Sequence, residues 1–309
     1  MKYLFGPVNS RRLGMSLGVD LVPYKTCPLN CVYCECGETT RLTAAVAEYV
    51  PTDDVIAELD GYLSGSPRLD AVTFSGSGEP TLHSGIGRII DFLKNKYPRY
   101  PVAVLTNGVM LWNPGVRKSI ARADIVIPSL DAVSPDVFAR INRPAGDITP
   151  ERVIEGLVAF REEYRGAIYL EIFIVPGLND TESELIKLKE ACRRIKPDRI
   201  QINSLDRPGA EEWVQPADQV RLLRIKEFFA PFGAEIIGGP ARKKFADRHV
   251  SDLAKAVIEL LRRRPSTVDD LVAATGAGRA ALESTLASMM ESGMITAERL
   301  ERGEFYRMA

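Results

Sequence analysis

The chain of 309 residues is poor in histidine, in tryptophan and in net charge. Its only histidines, His83 and His249, leave little scope for imidazole in acid–base chemistry or metal binding. Its 40 basic and 41 acidic residues give a net charge of −1, which excludes a global basic field that attracts nucleic acid. No apolar stretch reaches the about 20 residues of a membrane-spanning helix, so we expect no membrane contact.

Cysteine is also scarce, but three of the five cysteines fall within eight residues. Cys27, Cys31 and Cys34 form a Cys-x3-Cys-x2-Cys pattern, and soft thiolates suit iron–sulfur clusters. Three cysteines on a cluster of four irons leave one iron free for chemistry. A structural zinc ion needs a fourth ligand, for which Cys36 is available, so zinc is the alternative at this point. Cys192 lies in a helical pattern and is assigned no role.

The composition is that of a globular protein, with 45% hydrophobic and 26% charged residues. The length allows one large domain and one small domain. We predict domains over 1–240 and 251–309, joined by a linker over 241–250. The start of the chain has no signal-peptide pattern, from which we expect a cytoplasmic location and no disulfide bonds.

Apolar runs alternate with helical patterns in the middle of the chain, which predicts six β/α units around a parallel sheet. The predicted strands are Leu17–Val22, Ala71–Phe74, Val102–Leu105, Ile125–Ile127, Tyr169–Val175 and Ile200–Ile202. The predicted helices are Thr52–Leu63, Ile86–Lys96, Pro114–Ala121, Pro150–Tyr164, Glu182–Ile195 and Ala217–Phe229. Thr52 and Thr149 are predicted N-caps. Such a sheet is either doubly wound or a partly closed barrel, and in both cases the active site lies at the carboxyl ends of the strands.

Polar motifs follow several of the predicted strands. The run Ser75–Glu79 after the second strand offers backbone groups and one carboxylate for holding an amino acid. Asn107 follows the third strand, and Ser129 and Asp131 follow the fourth, where short polar groups suit the hydroxyls of a ribose. Each motif alone is also typical of an ordinary turn. Their repetition on one rim predicts a binding site.

Together these residues resemble the radical S-adenosylmethionine (radical SAM) superfamily over residues 1–240. The resemblance lies in the Cys-x3-Cys-x-aromatic-Cys signature after a first strand and in the glycine–glutamate segment Gly76–Pro80. It implies a partial barrel of six β/α units, a 4Fe-4S cluster, and S-adenosylmethionine bound to the open iron. It also implies reductive cleavage of S-adenosylmethionine to a 5′-deoxyadenosyl radical that abstracts hydrogen from a substrate. The implied partner is an electron donor such as flavodoxin or ferredoxin.

By position, the resemblance makes Cys27, Cys31 and Cys34 the cluster ligands. The cofactor contacts that it implies are Tyr33, Gly76, Ser77, Gly78, Glu79, Asn107, Ser129, Asp131, Val175 and Gly177. Substrate contacts are inferred from charge, because guanidinium groups clamp carboxylates and phosphates. The candidates are Arg11, Arg12, Lys25 and Arg143. A purely structural ion pair is the alternative for the arginines, and no catalytic side chain is predicted.

A narrower resemblance lies in the segments Gly6–Gly14, Ile141–Pro144 and Arg207–Trp213. These are similar to a subgroup related to wyosine-synthesising tRNA-modifying enzymes and to queuine-salvage lyases. The archaeal wyosine enzyme has a second cluster on upstream cysteines, and this chain has no cysteine before Cys27. We therefore expect one cluster and a lyase or oxidoreductase reaction. The expected substrate is a nucleoside, a modified base such as the 7-deazaguanine queuine, or tRNA.

The end of the chain predicts a winged helix-turn-helix of about sixty residues. Its predicted helices are Ser251–Arg263, Val268–Thr275 and Arg279–Ser292, and its strands are Met294–Arg299 and Glu304–Met308. Eight basic residues oppose nine acidic ones between Ser251 and Ala309, whereas DNA readers have a basic face. We expect docking or dimerisation rather than DNA binding, with nucleic-acid contact through Arg262–Arg264 as the alternative.

Two other functions fit the same motifs. An activating enzyme for a glycyl-radical protein has the same barrel but acts on a protein substrate. A redox-sensing regulator would combine the cluster with DNA binding by the winged helix. The flanking segments argue against the first function, and the acidic charge of the C-terminal helices argues against the second.

Overall fold

The computed structural model describes residues 1–237, 253–300 and 303–309. The strands in these ranges are β1 (Leu4–Ser10), β2 (Gly14–Val19), β3 (Thr26–Cys27), β4 (Arg41–Leu42), β5 (Ala71–Phe74), β6 (Val102–Thr106), β7 (Ile125–Pro128), β8 (Ala167–Ile174), β9 (Arg199–Ser204), β10 (Glu235–Ile236), β11 (Ile295–Leu300) and β12 (Gly303–Met308). The α-helices there are α1 (Thr52–Leu63), α2 (Ile86–Lys96), α3 (Pro114–Ile120), α4 (Pro135–Ile141), α5 (Pro150–Glu163), α6 (Glu182–Ile195), α7 (Gln219–Phe228), α8 (Leu253–Leu261), α9 (Val268–Thr275) and α10 (Arg279–Glu291).

The large sheet has the order β1-β2-β5-β6-β7-β8-β9-β10. Strands β2, β5, β6, β7, β8, β9 and β10 are parallel to one another, and only β1, which pairs with β2, runs antiparallel. The spatial order follows the chain order without reversal. Because crossovers between parallel strands are right-handed, such an order places the helices on one face and leaves the other face as the interior of a barrel. The predicted partial barrel of six units is therefore confirmed.

The main core lies between this sheet and the surrounding helices. In α2, Ile86, Ile89, Ile90 and Leu93 have the spacing of one helix face, and all four are buried. The face they bury belongs to a core cluster that extends over the sheet. Burial of each such side chain contributes about 1.5–3 kcal/mol. This packing makes the strand ends a rigid frame for the site.

Helix bounds follow the predictions closely, because the apolar periodicity is strong. Thr149 is an N-cap as predicted, and its side chain accepts a hydrogen bond from the backbone nitrogen of Arg152 at 3.3 Å. The predicted cap at Thr52 is wrong, since Thr52 is already helical and Pro51 is the N-cap. Thr52 instead donates its backbone and hydroxyl hydrogens to the carboxylate of Glu48.

The largest differences from the predicted elements lie at the start of the chain and before α5. The first parallel strand is Gly14–Val19 rather than Leu17–Val22, because residues 20–25 leave the sheet towards the cysteines. Strand β1 was not predicted, since Gly6 and Pro7 interrupt its apolar pattern. Helix α4 was also not predicted, because it is only seven residues long.

The C-terminal segment, residues 253–309 as described, contains α8, α9, α10 and the hairpin β11–β12. This matches the predicted order of three helices and two strands. Val257, Leu261, Leu271, Leu282 and Leu286 belong to its own buried cluster. The predicted linker over 241–250 lies outside the described residues, so the domain boundaries stay a prediction. None of the described helices has the length and apolarity needed to cross a bilayer.

The C-terminal segment packs on the barrel through α8 and α9, which contact β1. The buried side chain of Arg207, which follows β9, donates to the carbonyl of Pro265 at 3.0 Å and to the carboxylate of Asp270 at 2.5 Å. The guanidinium of Arg263 lies 4.9 Å from the ring centroid of Phe5 in β1. These contacts place the end of α8 beside the first strands and the cysteine loop.

Candidate active site

The three clustered cysteines lie in a loop between the first two parallel strands. Cys27 ends β3, and its carbonyl accepts a hydrogen bond from the backbone nitrogen of Thr43 at 3.0 Å. Cys31 and Cys34 share a turn in which the Cys34 nitrogen donates to the Cys31 carbonyl at 3.1 Å. All three thiols are half-buried and none forms a disulfide. The loop therefore presents three free thiols from one short stretch of chain.

The thiols differ in their acidity. Burial raises the pKa of Cys27 to about 12, and burial also raises the pKa of Cys31 well above its usual value. A hydrogen bond with the Cys36 thiol and the nearby Lys25 ammonium lower the pKa of Cys34 to about 5, although burial opposes them. Buried thiols with raised pKa values become thiolates only beside a strong positive charge, such as that of iron.

Two asparagine side chains donate hydrogen bonds to the sulfurs. The amide nitrogen of Asn107 lies 3.4 Å from the Cys27 sulfur, and that of Asn142 lies 3.4 Å from the Cys31 sulfur. Asn107 follows β6 as predicted. Asn142 follows α4 and was not predicted to contact a cysteine, although its segment Ile141–Pro144 was singled out. Both amides place N–H dipoles against cluster ligands.

The glycine turn after β5 is fastened directly to the cysteine loop. A Cβ atom at Gly78 would lie 2.1 Å from the carbonyl oxygen of Thr26, so only glycine fits there. The neighbouring Glu79 nitrogen donates to that same oxygen at 3.0 Å. Gly76 has φ +140°, and a Cβ on it would lie 2.4 Å from the carboxyl carbon of Asp20. The turn and the loop therefore form one unit.

The Glu79 carboxylate is buried and forms hydrogen bonds with residues that follow β5 and residues at the end of β6. It accepts hydrogen bonds from Thr81 and from the Thr106 hydroxyl at 2.5–3.0 Å, and from the Asn107 nitrogen at 2.7 Å. Burial raises its pKa, while the hydrogen bonds from Thr106 and Thr81 act in the opposite direction. Its predicted contact with S-adenosylmethionine stays a prediction. Its observed contacts hold the glycine turn against β6.

Asp131 connects the cysteine loop to β7 and β8. One carboxylate oxygen accepts hydrogen bonds from the Tyr33 hydroxyl at 2.5 Å and from the Asn142 amide at 2.8 Å. The other accepts one from the Phe173 nitrogen at 2.9 Å. The Tyr33 ring stacks on Phe173 with centroids 3.8 Å apart. This network therefore orients both the Tyr33–Phe173 pair and Asn142, whose amide donates to the Cys31 sulfur.

The remaining predicted cofactor contacts lie on the same rim. The Ser129 hydroxyl is 3.4 Å from the Glu171 carboxylate. Ser77 donates to the carboxylate of Asp20, at 2.7 Å from its hydroxyl and 3.2 Å from its nitrogen. Val175 and Gly177 follow β8, and a Cβ on Gly177 would meet nothing within 4 Å. The structure thus brings these residues together, while their individual roles stay predictions.

A cavity of about 300 Å³ lies inside the barrel beside this rim. Its lining includes Tyr33, Cys34, Gly76, Phe173 and polar side chains of the barrel interior. Sequence reasoning missed the interior residues Glu171 and Asn203. A carboxylate and an amide in otherwise apolar strands could have indicated that these two residues belong to the site.

Two of the four cations predicted to contact substrate line the cavity, and the other two lie elsewhere. Arg11 and Arg12 line the cavity. Lys25 is instead buried behind the loop, where its ammonium donates to the Gly37 carbonyl at 2.8 Å. Arg143 forms an ion pair with Glu211 at the surface. Arg11 and Arg12 also form ion pairs, with Asp206 and Glu171 respectively, so the substrate role of all four residues stays a prediction.

A family model described as the radical SAM superfamily matches residues 21–188. The chain belongs to the radical SAM superfamily. It is a radical SAM enzyme, and the cofactors of this superfamily are a 4Fe-4S cluster and S-adenosylmethionine.

Two curated relatives extend the match over most of the chain. A protein named "GTPase Obg" from Brachyspira hyodysenteriae is 33% identical over 298 residues, which cover 96% of this chain. This chain spans only 44% of the length of that relative. A UPF0026 protein from Methanocaldococcus jannaschii is 32% identical over 240 residues, covering 77% of this chain and 73% of the relative.

Solved structures share the fold of this radical SAM enzyme. Streptococcus suis SuiB bound to S-adenosylmethionine superposes with a TM-score of 0.55 and 15% identity, covering 72% of this chain and 50% of SuiB. TYW1 with a lysine–pyruvate adduct superposes with a TM-score of 0.53 and 17% identity, covering 74% and 76% of the two chains.

The donor set fits the cluster of a radical SAM enzyme. Three free thiols on one loop, two of them receiving amide hydrogen bonds, are suitable ligands for three irons of a 4Fe-4S cluster. Zinc was the alternative that used Cys36, and membership of the radical SAM superfamily decides for the cluster. In the described part of the chain, no three His, Cys, Asp or Glu side chains form a group that fits a single metal ion.

Removing the amide donor at Asn142 is expected to lower the reduction potential of the bound cluster. An N–H donor stabilises the more negative reduced cluster, and a difference of about 1 kcal/mol corresponds to roughly 40 mV. Redox titration of Asn142→Ala, followed by paramagnetic resonance, measures the potential. Asn95→Ala, on the exposed end of α2, is the control. An Asn142→Ala potential equal to or above that of the control contradicts the assigned role.

Proposed function

We propose that this enzyme cleaves S-adenosylmethionine reductively at a single 4Fe-4S cluster and uses the resulting 5′-deoxyadenosyl radical to abstract hydrogen from a nucleoside or a modified base. The bound cluster supplies the electron for that cleavage. The observation that carries the substrate class is the cavity, which combines the Cys34 side of the loop, a stacked aromatic pair and a polar interior.

The size of the cavity favours a small substrate. Small-molecule sites have volumes of about 300–1,000 Å³, and this cavity of about 300 Å³ is at the lower end. Its lining also includes Tyr33 and Gly76, two of the predicted cofactor contacts, and Leu260 and Arg263 of the C-terminal segment form part of one wall. So small a space favours a free base or nucleoside over a protein loop or an intact tRNA.

The lining suits a planar heterocycle. Tyr33 and Phe173 provide aromatic surface, on which bases stack. Glu171 and Asn203 provide polar groups for the edge of a base. Their 3.3 Å hydrogen bond and the ion pair of Glu171 with Arg12 fix both side chains. This combination supports a purine-like or 7-deazaguanine-like substrate.

Other residues support a single cluster and argue against DNA binding. Cys192 is buried in the main core at α6 and is therefore separated from solvent and from the loop. In α10, Arg279 is paired with Asp269 and with Glu283, which neutralises the only arginine of that helix. A regulator that reads DNA through this helix is thus not supported.

The proposal is tested by hydrogen transfer. Protein reconstituted anaerobically with iron and sulfide is incubated with S-adenosylmethionine, reduced flavodoxin or ferredoxin, and deuterated nucleosides or 7-deazaguanine bases. We expect 5′-deoxyadenosine to gain deuterium from a nucleoside or a base, and the product to identify a lyase or an oxidoreductase reaction. Deuterated tRNA and a deuterated peptide are the comparison substrates. Deuterium transfer from the peptide alone, or from tRNA alone, would contradict the proposed substrate class.

A further inference from the structure

The side chain of Arg263 brings the C-terminal segment into the cofactor region of the barrel. Arg263 follows α8 and lines the inner cavity, the space of about 300 Å³ inside the barrel, together with Tyr33 and Gly76. Its Nη1 atom donates to the carbonyl of Glu259 at 2.7 Å, which fixes the guanidinium on the last turn of α8. The C-terminal segment therefore contributes a positive charge that is held in place.

Asp20 is the partner of this charge. The Nε atom of Arg263 lies 3.7 Å from a carboxylate oxygen of Asp20, and the two side chains are only 16% and 11% exposed. Burial raises the pKa of Asp20, whereas the hydrogen bonds from Ser77 and the charge of Arg263 act in the opposite direction. The arginine therefore favours the ionised form of a carboxylate that is largely buried.

The same carboxylate oxygen holds the glycine turn. It accepts hydrogen bonds from the hydroxyl of Ser77 at 2.7 Å and from the backbone nitrogen of Ser77 at 3.2 Å. Gly76 packs against this carboxylate, since a Cβ atom there would lie 2.4 Å from the carboxyl carbon. One oxygen of Asp20 thus connects the C-terminal segment to the turn that is predicted to hold S-adenosylmethionine.

Loss of the arginine would change the acceptor on which the turn depends. A largely buried carboxylate without its counter-charge either takes up a proton or moves towards water. In the first case the oxygen becomes a poorer acceptor for the hydrogen bonds of Ser77. In the second case the carboxylate leaves the place against which Gly76 packs. Both changes loosen the glycine turn.

The other contacts of the C-terminal arginines favour a role inside the enzyme. Arg262 is exposed, whereas Arg263 and Arg264 are half-buried and line the inner cavity. Arg207, which follows β9, fixes this part of the chain on the barrel through the carbonyl of Pro265 at 3.0 Å. Two of the three arginines that were the alternative contact for nucleic acid are therefore directed to the barrel.

We propose that the C-terminal segment is part of the cofactor site, with Arg263 as a positioning residue that holds the glycine turn in place for S-adenosylmethionine through Asp20. This inference rests on the predicted contact of the turn with S-adenosylmethionine and is independent of the substrate class. Arg263 acts indirectly, because Asp20 and Ser77 lie between it and the cofactor contacts.

Equilibrium binding of S-adenosylmethionine to the cluster-loaded full-length protein tests this inference without turnover. We expect Arg263→Gln to bind S-adenosylmethionine about tenfold more weakly than the wild type and to keep its iron and sulfide content. Arg263→Lys keeps the positive charge and should recover most of the affinity. Arg262→Gln is the matched control, because it removes the neighbouring, exposed arginine. Unchanged or tighter binding by Arg263→Gln would overturn the proposal.

Asp20→Asn separates an effect through Asp20 from a direct contact of Arg263 with the cofactor. The neutral amide still offers an oxygen to Ser77 but needs no counter-charge. In this background Arg263→Gln should change the affinity less than about twofold, because the interaction that it removes is already absent.

A tenfold loss in both backgrounds would contradict the role assigned to Asp20. If Arg263→Gln alone does not fold, the double variant decides: it should fold and bind like Asp20→Asn, and its failure to do so would overturn the proposal. Binding is measured without substrate, so failure here leaves the proposed hydrogen transfer standing.

Discussion

Cys31→Ala protein, reconstituted with iron and sulfide, is expected to hold no stable 4Fe-4S cluster and to form no 5′-deoxyadenosine. Cys31 is one of only three thiols on the loop that match the superfamily signature, and its sulfur already receives the amide hydrogen bond of Asn142. With two thiolates left, two irons lack protein ligands. Iron and sulfide content, the visible absorption of the cluster and 5′-deoxyadenosine formation measure the effect.

Two other cysteines provide controls for this prediction. Cys192→Ala removes a thiol buried in the main core, and Cys36→Ala removes the thiol beside Cys34. Both variants are expected to retain a cluster of four irons. A zinc-binding protein would instead lose its metal in the Cys36 variant. Retention of cluster and cleavage by Cys31→Ala would refute the assignment of the ligands.

Glu79→Ala is expected to lower the free energy of unfolding by about 2–4 kcal/mol and 5′-deoxyadenosine formation by about a hundredfold. The buried carboxylate accepts hydrogen bonds from Thr81, Thr106 and Asn107. Without it these donors stay buried and unsatisfied, and the glycine turn loses its attachment to β6. Removal of a buried charge offsets part of the cost. Denaturant unfolding and product analysis measure the two effects separately.

Glu79→Gln is the control for side-chain size, because it keeps one acceptor oxygen in a side chain of the same length. It should lose less stability and less activity than Glu79→Ala. Glu48→Ala is the matched surface variant, because Glu48 is exposed and accepts hydrogen bonds only at the start of α1. That variant should stay within about 1 kcal/mol of the wild type. If Glu79→Ala were as stable and as active as Glu48→Ala, the fastening role of Glu79 would be excluded.

The barrel could be predicted from the sequence because each of its strands and helices has an apolar pattern within its own residues. Strand β5 and helices α1, α2 and α6 have strong apolar periodicity and keep their predicted bounds. Strand β1 could not be predicted, because its own residues have no strand pattern. It is a strand because it pairs with β2. The prediction of Thr52 as a cap is wrong because Thr52 is the first residue of α1 and Pro51 is the N-cap.

The candidate site also has a part that the sequence predicts and a part that it does not. The cysteines and the glycine turn are contiguous motifs, and their residue types indicate their chemistry without any structure. Asn142 reaches a sulfur across 111 positions of sequence, and the Asp20–Arg263 pair joins residues from opposite ends of the chain. No local pattern marks such partners. Only the folded barrel brings these partners into contact.

Leu260, Arg263 and Arg264 are the last residues of the inner cavity's lining to leave the ribosome. Domains generally fold as units from the N-terminus during synthesis, so the barrel forms while α8 is still being made. Until α8 packs on β1, the cavity is without this part of its lining. The cavity is therefore completed after the barrel, by the part of the chain that is synthesised last.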